Sequence, residues 1–122
     1  MKNAPATPPF DQPGLDAVMA QVANVQGWMT FGQASTLYDS AAHCPNNSQI
    51  VEIGSFQGRS TIVLASAADR SVQVIAIDPH AGTDRGPQEL DGYADEADSD
   101  HSIFNKNLAD AGVADRVRHL RM

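Results

Sequence analysis

Apolar residues recur along this chain with several different spacings, and each spacing predicts a different element. From Leu15 they return every three or four positions, which predicts an amphipathic helix that ends at Gly27. A second helical stripe begins at Phe31, where Thr30 and Gln33 have the spacing of a capping box. We therefore expect the folded part of the chain to begin with two helices.

Two short runs of β-branched residues follow, and both predict strands. The first run, residues 49–53, is of the kind found in strands covered on both faces, although it holds one charge at Glu52. The second run is residues 72–77, and a helical stretch that is apolar nearly all round, residues 62–68, separates the two. The order strand, helix, strand predicts an α/β fold with a parallel sheet.

Two segments lack such patterns. Residues 1–14 contain four prolines and predict a disordered lead-in before a single domain at residues 15–122. Residues 80–102 contain seven acidic residues, one arginine and no apolar periodicity, which predicts an acidic surface loop. After this loop, Ser102 is expected to cap a third amphipathic helix, and a turn and a third strand occupy residues 115–122.

The acidic loop also carries two histidines, His80 and His101, and they allow a second interpretation. They would serve as ligands or bases in a gate for a substrate or a cation, since long loops after sheet strands often carry function. We favour the solvated loop because no metal-ligand spacing is present, and we predict no metal site. His80 is the one candidate for a catalytic base, and catalytic residues are otherwise unassigned.

Composition and charge exclude several classes of protein. The chain has 122 residues, 42% of them hydrophobic, which allows one core and one domain. Its formal net charge of -7, with 8 basic residues, argues against a nucleic-acid interface. No apolar run approaches the roughly 20 residues of a membrane span. A single cysteine, Cys44, permits no internal disulfide, so we predict a cytoplasmic protein.

The candidate ligand site is the turn between the first predicted strand and its helix. Gly54 and Gly58 bracket this turn, and the absence of a side chain lets a ligand approach the backbone. Unpaired N–H groups at the start of the helix favour a carboxylate or a phosphate. Asp78 ends the second strand 24 positions after Gly54, the spacing at which doubly wound folds place an acid against ribose hydroxyls. The alternative is an ordinary turn aspartate before proline.

Trp28 lies in the bend between the first two helices, and two interpretations of it are open. It is either a core plug beneath the sheet or a lid over a bound ligand. We favour the plug, because large aromatic side chains are usually buried for packing.

These motifs together resemble the class I S-adenosylmethionine-dependent methyltransferases, in particular the branch whose glycine loop reads Glu-Ile-Gly-x-x-x-Gly-x-Ser-Thr. Three separated segments carry the likeness in the right order: residues 51–61, residues 77–79 and residues 107–117. The resemblance implies a three-layer, Rossmann-like α/β fold. The chain would supply the first three strands of its parallel sheet, in the order 3-2-1, together with N-terminal helices.

The resemblance also implies a cofactor, S-adenosyl-L-methionine, and a role for each motif residue. Gly54, Ser55 and Gly58 would lie under the methionine part of the cofactor, where backbone groups meet its amino acid end. Glu52 would balance its ammonium group, directly or through water, and Asp78 would accept the ribose hydroxyls.

Three further residues belong to the same implied site. Phe56 stands where the commoner family loop has a third glycine, and it would pack on the cofactor or beneath it. Ser60 and Thr61 would complete the cofactor-binding set, or else only cap the helix.

The implied activity is methyl transfer from this cofactor to the oxygen of a small molecule or a sugar. The later strands and the acceptor pocket of such enzymes would lie beyond Met122, which would leave the apolar edge of the first strand open to a homodimer partner. Two alternatives remain: a non-catalytic assembly module and a nicotinamide dehydrogenase. The dehydrogenase is disfavoured because the middle glycine is missing and Glu52 would lie beside phosphates.

Overall fold

A computed structural model of the protein describes residues 13–80 and 93–122, with the side chains of the second range described from residue 99 onward. In chain order, the elements are α1 (Leu15–Gln21), α2 (Phe31–Ala42), β1 (Gln49–Ile53), α3 (Arg59–Ala67), β2 (Gln73–Ile77), α4 (Tyr93–Asp110), a 3₁₀ helix (Ala114–Arg116) and β3 (Val117–Leu120). Most of the predicted lead-in and the first half of the predicted acidic loop lie outside the described residues.

The three strands form one parallel sheet in the order β1-β2-β3. β1 pairs with β2 so that Val51 lies opposite Ile75, and β2 pairs with β3 so that Ala76 lies opposite His119. Helices α3 and α4 connect consecutive strands, as parallel pairing requires. The predicted Rossmann-like α/β fold, with its first three strands in the order 3-2-1, is therefore confirmed.

The core lies between this sheet and the helices α1, α3 and α4. α3 is buried over the consecutive residues 61–67, as its nearly continuous apolar sequence predicts. β2 contributes Val74 and Ala76, and α4 contributes Phe104 and Leu108, all of them buried. Because these side chains pack together, the core fixes the position of α4 against the start of α3.

The start of α2 is built as the sequence predicts. The Thr30 N–H donates to the Gln33 side chain at 2.9 Å, and the Gln33 N–H donates to the Thr30 hydroxyl at 3.1 Å. This reciprocal pair is a complete capping box, so the predicted helix start is confirmed.

The predicted end of the first helix is wrong, because α1 ends at Gln21 and not near Gly27. Val22 and Val25 continue the apolar periodicity and are buried, but they lie in a turn. Their carbonyl oxygens accept hydrogen bonds from the Arg59 guanidinium at 2.9 and 2.8 Å. A charged donor thus satisfies backbone groups that a longer helix would have paired internally.

Part of the predicted acidic loop is helical, so that prediction is wrong from Tyr93 onward. Ser102, the expected N-cap, lies within α4. Acidic residues near a helix N-terminus interact favourably with the helix dipole, and alanine is a strong helix former, so a polar stretch can extend a helix without an apolar stripe. No helix in the described part of the chain, α4 included, has the length and apolar character needed to cross a membrane.

One face of β1 is exposed, which corrects the prediction of a strand covered on both faces. Val51 is 55% exposed and Ile53 is 82% exposed. The helices cover the opposite face, where Ile50 packs against the core. Among the described residues, β1 has one strand partner, β2.

Candidate functional site

The carboxyl end of β1 runs into α3 through a tight turn, residues 54–58. Gly54 and Gly58 adopt positive φ angles of 89° and 96°. Phe56 also has a positive φ, 47°, a conformation that costs a non-glycine residue about 1–3 kcal/mol. The Gly54 N–H donates to the Ile77 carbonyl oxygen at 2.8 Å, which ties the turn to the end of β2.

The two glycines serve different purposes. A Cβ on Gly58 would lie 2.7 Å from Leu108 Cδ1 and 3.3 Å from Phe104 Cδ1, so α4 packs directly on its backbone. A Cβ on Gly54 would have no atom within 4 Å. Gly58 therefore permits the close approach of a helix, whereas Gly54 leaves space for a ligand.

Glu52 lies on β1 just before the turn, and its carboxylate accepts hydrogen bonds from the hydroxyl groups of Ser60 and Thr61. These hydroxyl groups therefore hold the Glu52 carboxylate in place, which differs from the alternative in which Ser60 and Thr61 only cap the helix. Burial raises the pKa of the Glu52 carboxyl above its usual value, the two hydrogen bonds act in the opposite direction, and the charge of Asp78 adds to the rise.

Asp78 is buried at the end of β2, and backbone groups hold both of its carboxylate oxygens. Oδ2 accepts from the Phe56 N–H and Oδ1 accepts from the His80 N–H, each at 2.7 Å. The second bond has the pattern of an Asx turn, as the turn-aspartate alternative predicts. The first bond stabilises the strained backbone of Phe56.

A hollow of about 110 Å³ lies over the turn. Four members of the predicted cofactor-binding set line it, namely Gly54, Ser55, Phe56 and Ser60. The other four members, namely Glu52, Gly58, Thr61 and Asp78, do not line it, but Glu52 and Asp78 are hydrogen-bonded to the wall residues Ser60 and Phe56. The rest of the wall consists of Trp28, which the sequence indicated only as the lid alternative, and of residues that the sequence did not indicate, namely Gln26, Gly27, Met29 and Arg59.

Ser55 carries an unsatisfied polar group in this wall. Its side chain is 2% exposed, and its hydroxyl has no hydrogen-bond partner among the described residues. Buried hydroxyl groups nearly always have such a partner. A ligand that placed a polar group in the hollow, beside the open space at Gly54, would supply it.

Trp28 lies at the surface, so the prediction of a core plug is wrong. Its side chain is 86% exposed, and its indole ring is 5.6 Å from the ring of Phe56, measured between centroids. Val22 and Val25 take the core positions of this segment, which leaves the bend after them on the surface. Trp28 borders the hollow over the turn, the position that the lid alternative requires.

Three histidines, His80, His101 and His119, lie together, and the first of them contacts the Phe56 carbonyl group. His80 is 2% exposed; its Nε2 is 2.8 Å from the Phe56 carbonyl oxygen and its Nδ1 is 3.0 Å from His101 Nδ1. The ring of His119 stacks on His80 at 4.7 Å. Burial lowers the pKa of His119, and the other two histidines lower it further. The sequence did not indicate a role for His119, because no local pattern brings it to His80.

A family model described as a methyltransferase domain matches residues 51–122. A cofactor-bound protein from MTB, Rv0187, is similar in structure, with a TM-score of 0.52 and 25% identity over 90% of this chain and 44% of that one. The O-methyltransferase TomG from Streptomyces achromogenes, solved with SAM, has a TM-score of 0.55 and 21% identity over 86% of this chain and 40% of its own.

An O-methyltransferase from Bacillus cereus, solved with SAH, has a TM-score of 0.52 and 22% identity over 87% of this chain and 41% of its own. The chain thus spans less than half the length of these solved proteins. The family model covers more than half of the chain, and its match includes the glycine turn, all of β2 and all of β3. The protein therefore belongs to the methyltransferase domain family and has the class I, Rossmann-like fold of that family.

Proposed function

We propose that this chain is the cofactor-binding part of an S-adenosylmethionine-dependent methyltransferase. The unsatisfied, buried hydroxyl of Ser55 is the single observation that carries the proposal, because Ser55 lines the hollow over the glycine turn. The amino acid end of S-adenosylmethionine offers both hydrogen-bond donors and acceptors, so it fits this position. Two similar solved proteins are described with SAM or SAH, which supports the same ligand class.

Glu52 acts on the cofactor through Ser60 in this proposal. Ser60 lines the hollow and donates to Glu52, so the negative charge lies one hydroxyl group away from the ligand. A carboxylate at that distance still favours an ammonium group in a partly buried site. Asp78 acts on the ligand through the Phe56 N–H, which donates a hydrogen bond to its carboxylate. To accept a ribose hydroxyl as well, a carboxylate oxygen would use its second lone pair.

Methyl transfer is an in-line displacement at a sulfonium carbon. When bound, the cofactor supplies the methyl group, and the protein contributes by holding the donor in one orientation and excluding water. We further propose an oxygen acceptor on a small molecule or sugar, as the description of two similar proteins as O-methyltransferases suggests. His80 is not supported as the base, because the nitrogens of its buried ring contact Phe56 and His101.

Calorimetric titration with S-adenosylmethionine, S-adenosylhomocysteine and NAD tests this proposal. We expect binding of the first two and none of NAD. Ser55→Ala should weaken binding by about 1.5–3 kcal/mol, as expected for a hydrogen bond to a charged group. Ser66→Ala is the matched control, since Ser66 is also a buried serine but does not line the hollow.

Binding of NAD alone would contradict the proposal and favour the dehydrogenase alternative. Absence of binding by all three ligands, in a protein that folds, would favour the non-catalytic assembly module. Equal losses in the two serine variants would also count against the role of Ser55, because the change would then reflect stability rather than contact.

A further inference from the structure

We propose that His80, His101 and His119 form a binding site for one divalent transition-metal ion of the Zn²⁺ class. The three residues come from the end of β2, from α4 and from β3. One possible ligand atom of each lies within 4.8 Å of the corresponding atoms of the other two. This inference goes beyond the proposed function, since it concerns neither the hollow nor the cofactor.

The distances suit coordination after a small adjustment. Two nitrogens that bind one zinc ion tetrahedrally at about 2.0–2.1 Å are roughly 3.3 Å apart. The Nδ1 atoms of His80 and His101 are 3.0 Å apart, close to that value. The candidate ligand atoms lie within 4.8 Å of one another, so a movement of at most roughly 1.5 Å brings a pair to the tetrahedral spacing.

A hydrogen bond already orients His80 for metal binding. Its Nε2 lies 2.8 Å from the Phe56 carbonyl oxygen, which can accept a proton but cannot donate one. Nε2 therefore carries the proton, and Nδ1 presents its lone pair to the cluster. A backbone carbonyl group that receives the second N–H of a histidine is a common support of metal ligands in proteins.

The other two histidines are consistent with the same use. The amide nitrogen Nδ2 of Asn105 is 3.3 Å from His101 Nε2 and donates to it; a half-turn of this amide group would present its oxygen instead, hold Nε2 protonated and turn Nδ1 into a ligand. His119 Nε2 is buried and has no hydrogen-bond partner in the described residues. An unpartnered buried nitrogen indicates that the cluster lacks a component.

The chemistry of the cluster selects the class of metal. Neutral imidazole suits Zn²⁺, Co²⁺, Ni²⁺ and Cu²⁺, whereas Mg²⁺ and Ca²⁺ prefer oxygen ligands. Three protein ligands leave one position for water or another donor. The ring of Phe104 packs at 5.1 Å from His80 and 4.7 Å from His119, so an apolar wall borders the site.

Co²⁺ is the probe for the test, because its visible absorption reports coordination and it occupies sites of the Zn²⁺ class. The protein is prepared without a histidine tag, treated with a chelator, and carries Cys44→Ser so that no thiol can bind the ion. We expect one equivalent of Co²⁺ to produce an absorption band that Zn²⁺ removes and excess Mg²⁺ does not. Thermal unfolding should move to higher temperature on addition of Zn²⁺.

Two single substitutions assign the site. His101→Ala should weaken metal binding at least tenfold, while His43→Ala should leave it unchanged. His43 is the matched control because it is the fourth histidine of the chain and lies at the end of α2, where its Nδ1 contacts the Asp39 carbonyl oxygen. His101→Gln, which keeps a polar side chain on α4, repeats the test if the alanine variant unfolds.

Two outcomes would overturn the proposal. One is the absence of both an absorption band and a change in unfolding temperature with the unsubstituted cluster, which would make it a hydrogen-bonded group of histidines only. The other is an equal loss of binding in the His43 and His101 variants. Neither outcome affects the cofactor proposal, which is tested at a different site with a different ligand.

Discussion

The Thr61 hydroxyl donates a hydrogen bond to the carboxylate of Glu52, and this bond joins the first turn of α3 to the end of β1. Ser60 makes a second bond to the same carboxylate. The Glu52 carboxylate is half-buried beside the start of α3, a helix that is itself buried along most of its length. Two hydroxyl groups hold this carboxylate, and the described contacts include no cation bound to it. In the proposed function, this carboxylate, when ionised, is the negative charge that faces the positively charged end of the ligand.

The raised pKa of Glu52 predicts how stability changes with pH. The folded state binds the Glu52 proton more tightly than the unfolded state, whose pKa is near the usual 4.5. The free energy of unfolding should therefore fall as the pH rises from about 4.5 through the folded pKa. Glu52→Gln should remove this fall and unfold at a higher temperature than the wild type at pH 7, as measured by thermal denaturation across this pH range.

Asp69 provides a control of opposite sign for this experiment. Hydrogen bonds from Ser71 lower the pKa of the exposed Asp69 carboxyl. The ionised Asp69 carboxylate contributes to stability above its unfolded-state pKa, and this contribution is lost as the pH falls through its folded-state pKa. Asp69→Asn should therefore not raise the stability at pH 7. A Glu52→Gln variant with the same pH dependence as the wild type would refute the assignment of the slope to Glu52.

The contact between Gly58 and α4 predicts the effect of adding one methyl group. Gly58→Ala should destabilise the protein by about 2–4 kcal/mol, since the new Cβ would overlap Leu108 in addition to the cost of a positive φ. Gly54→Ala is the matched control, because Gly54 has a similar φ but open space at the Cβ position. Chemical denaturation should give the larger loss at Gly58, and equal losses would show that packing against α4 contributes nothing.

Much of this architecture could be predicted, because the spacing of the apolar residues marks the elements, although Val51 and Ile53 of β1 are apolar and exposed. The β-branched runs predicted β1 and β2, and the capping box at Thr30 predicted the start of α2. The same pattern does not fix conformation: Val22 and Val25 are buried as expected, yet they lie in a turn supported by Arg59. Helix α1 therefore ends earlier than its periodicity suggests.

The parts that could not be predicted depend on contacts between distant residues. His80, His101 and His119 come together only when β2, α4 and β3 pack, so no local spacing identifies them. The bond from the Phe56 N–H to Asp78 was likewise hidden, because it requires the turn and β2 to be folded together. Trp28 was misplaced because Val22 and Val25 take the core positions of this segment, which leaves the bend after them on the surface.

Trp28 should contribute to cofactor binding without contributing to stability. It borders the hollow and contacts Phe56, while its side chain is 86% exposed. Trp28→Ala should weaken S-adenosylmethionine binding by about 0.5–1.5 kcal/mol through loss of the aromatic contact, with little change in unfolding temperature. Phe31→Ala is the control, because Phe31 is also an exposed aromatic residue but does not line the hollow. An unchanged affinity in the Trp28 variant would rule out the lid interpretation.

The exposed face of β1 should support self-association of the chain, as the predicted homodimer requires. Val51 and Ile53 present an apolar surface next to a strand edge, and such edges pair readily with a second chain. We expect light scattering to detect a dimer whose fraction increases with protein concentration. Ile53→Lys should shift the equilibrium to the monomer, because a lysine on an edge strand opposes pairing. Ser40→Lys adds the same charge at an exposed position of α2 and should leave the dimer intact. A wild-type protein that stays monomeric at roughly millimolar concentration, where even weak complexes form, would contradict the prediction.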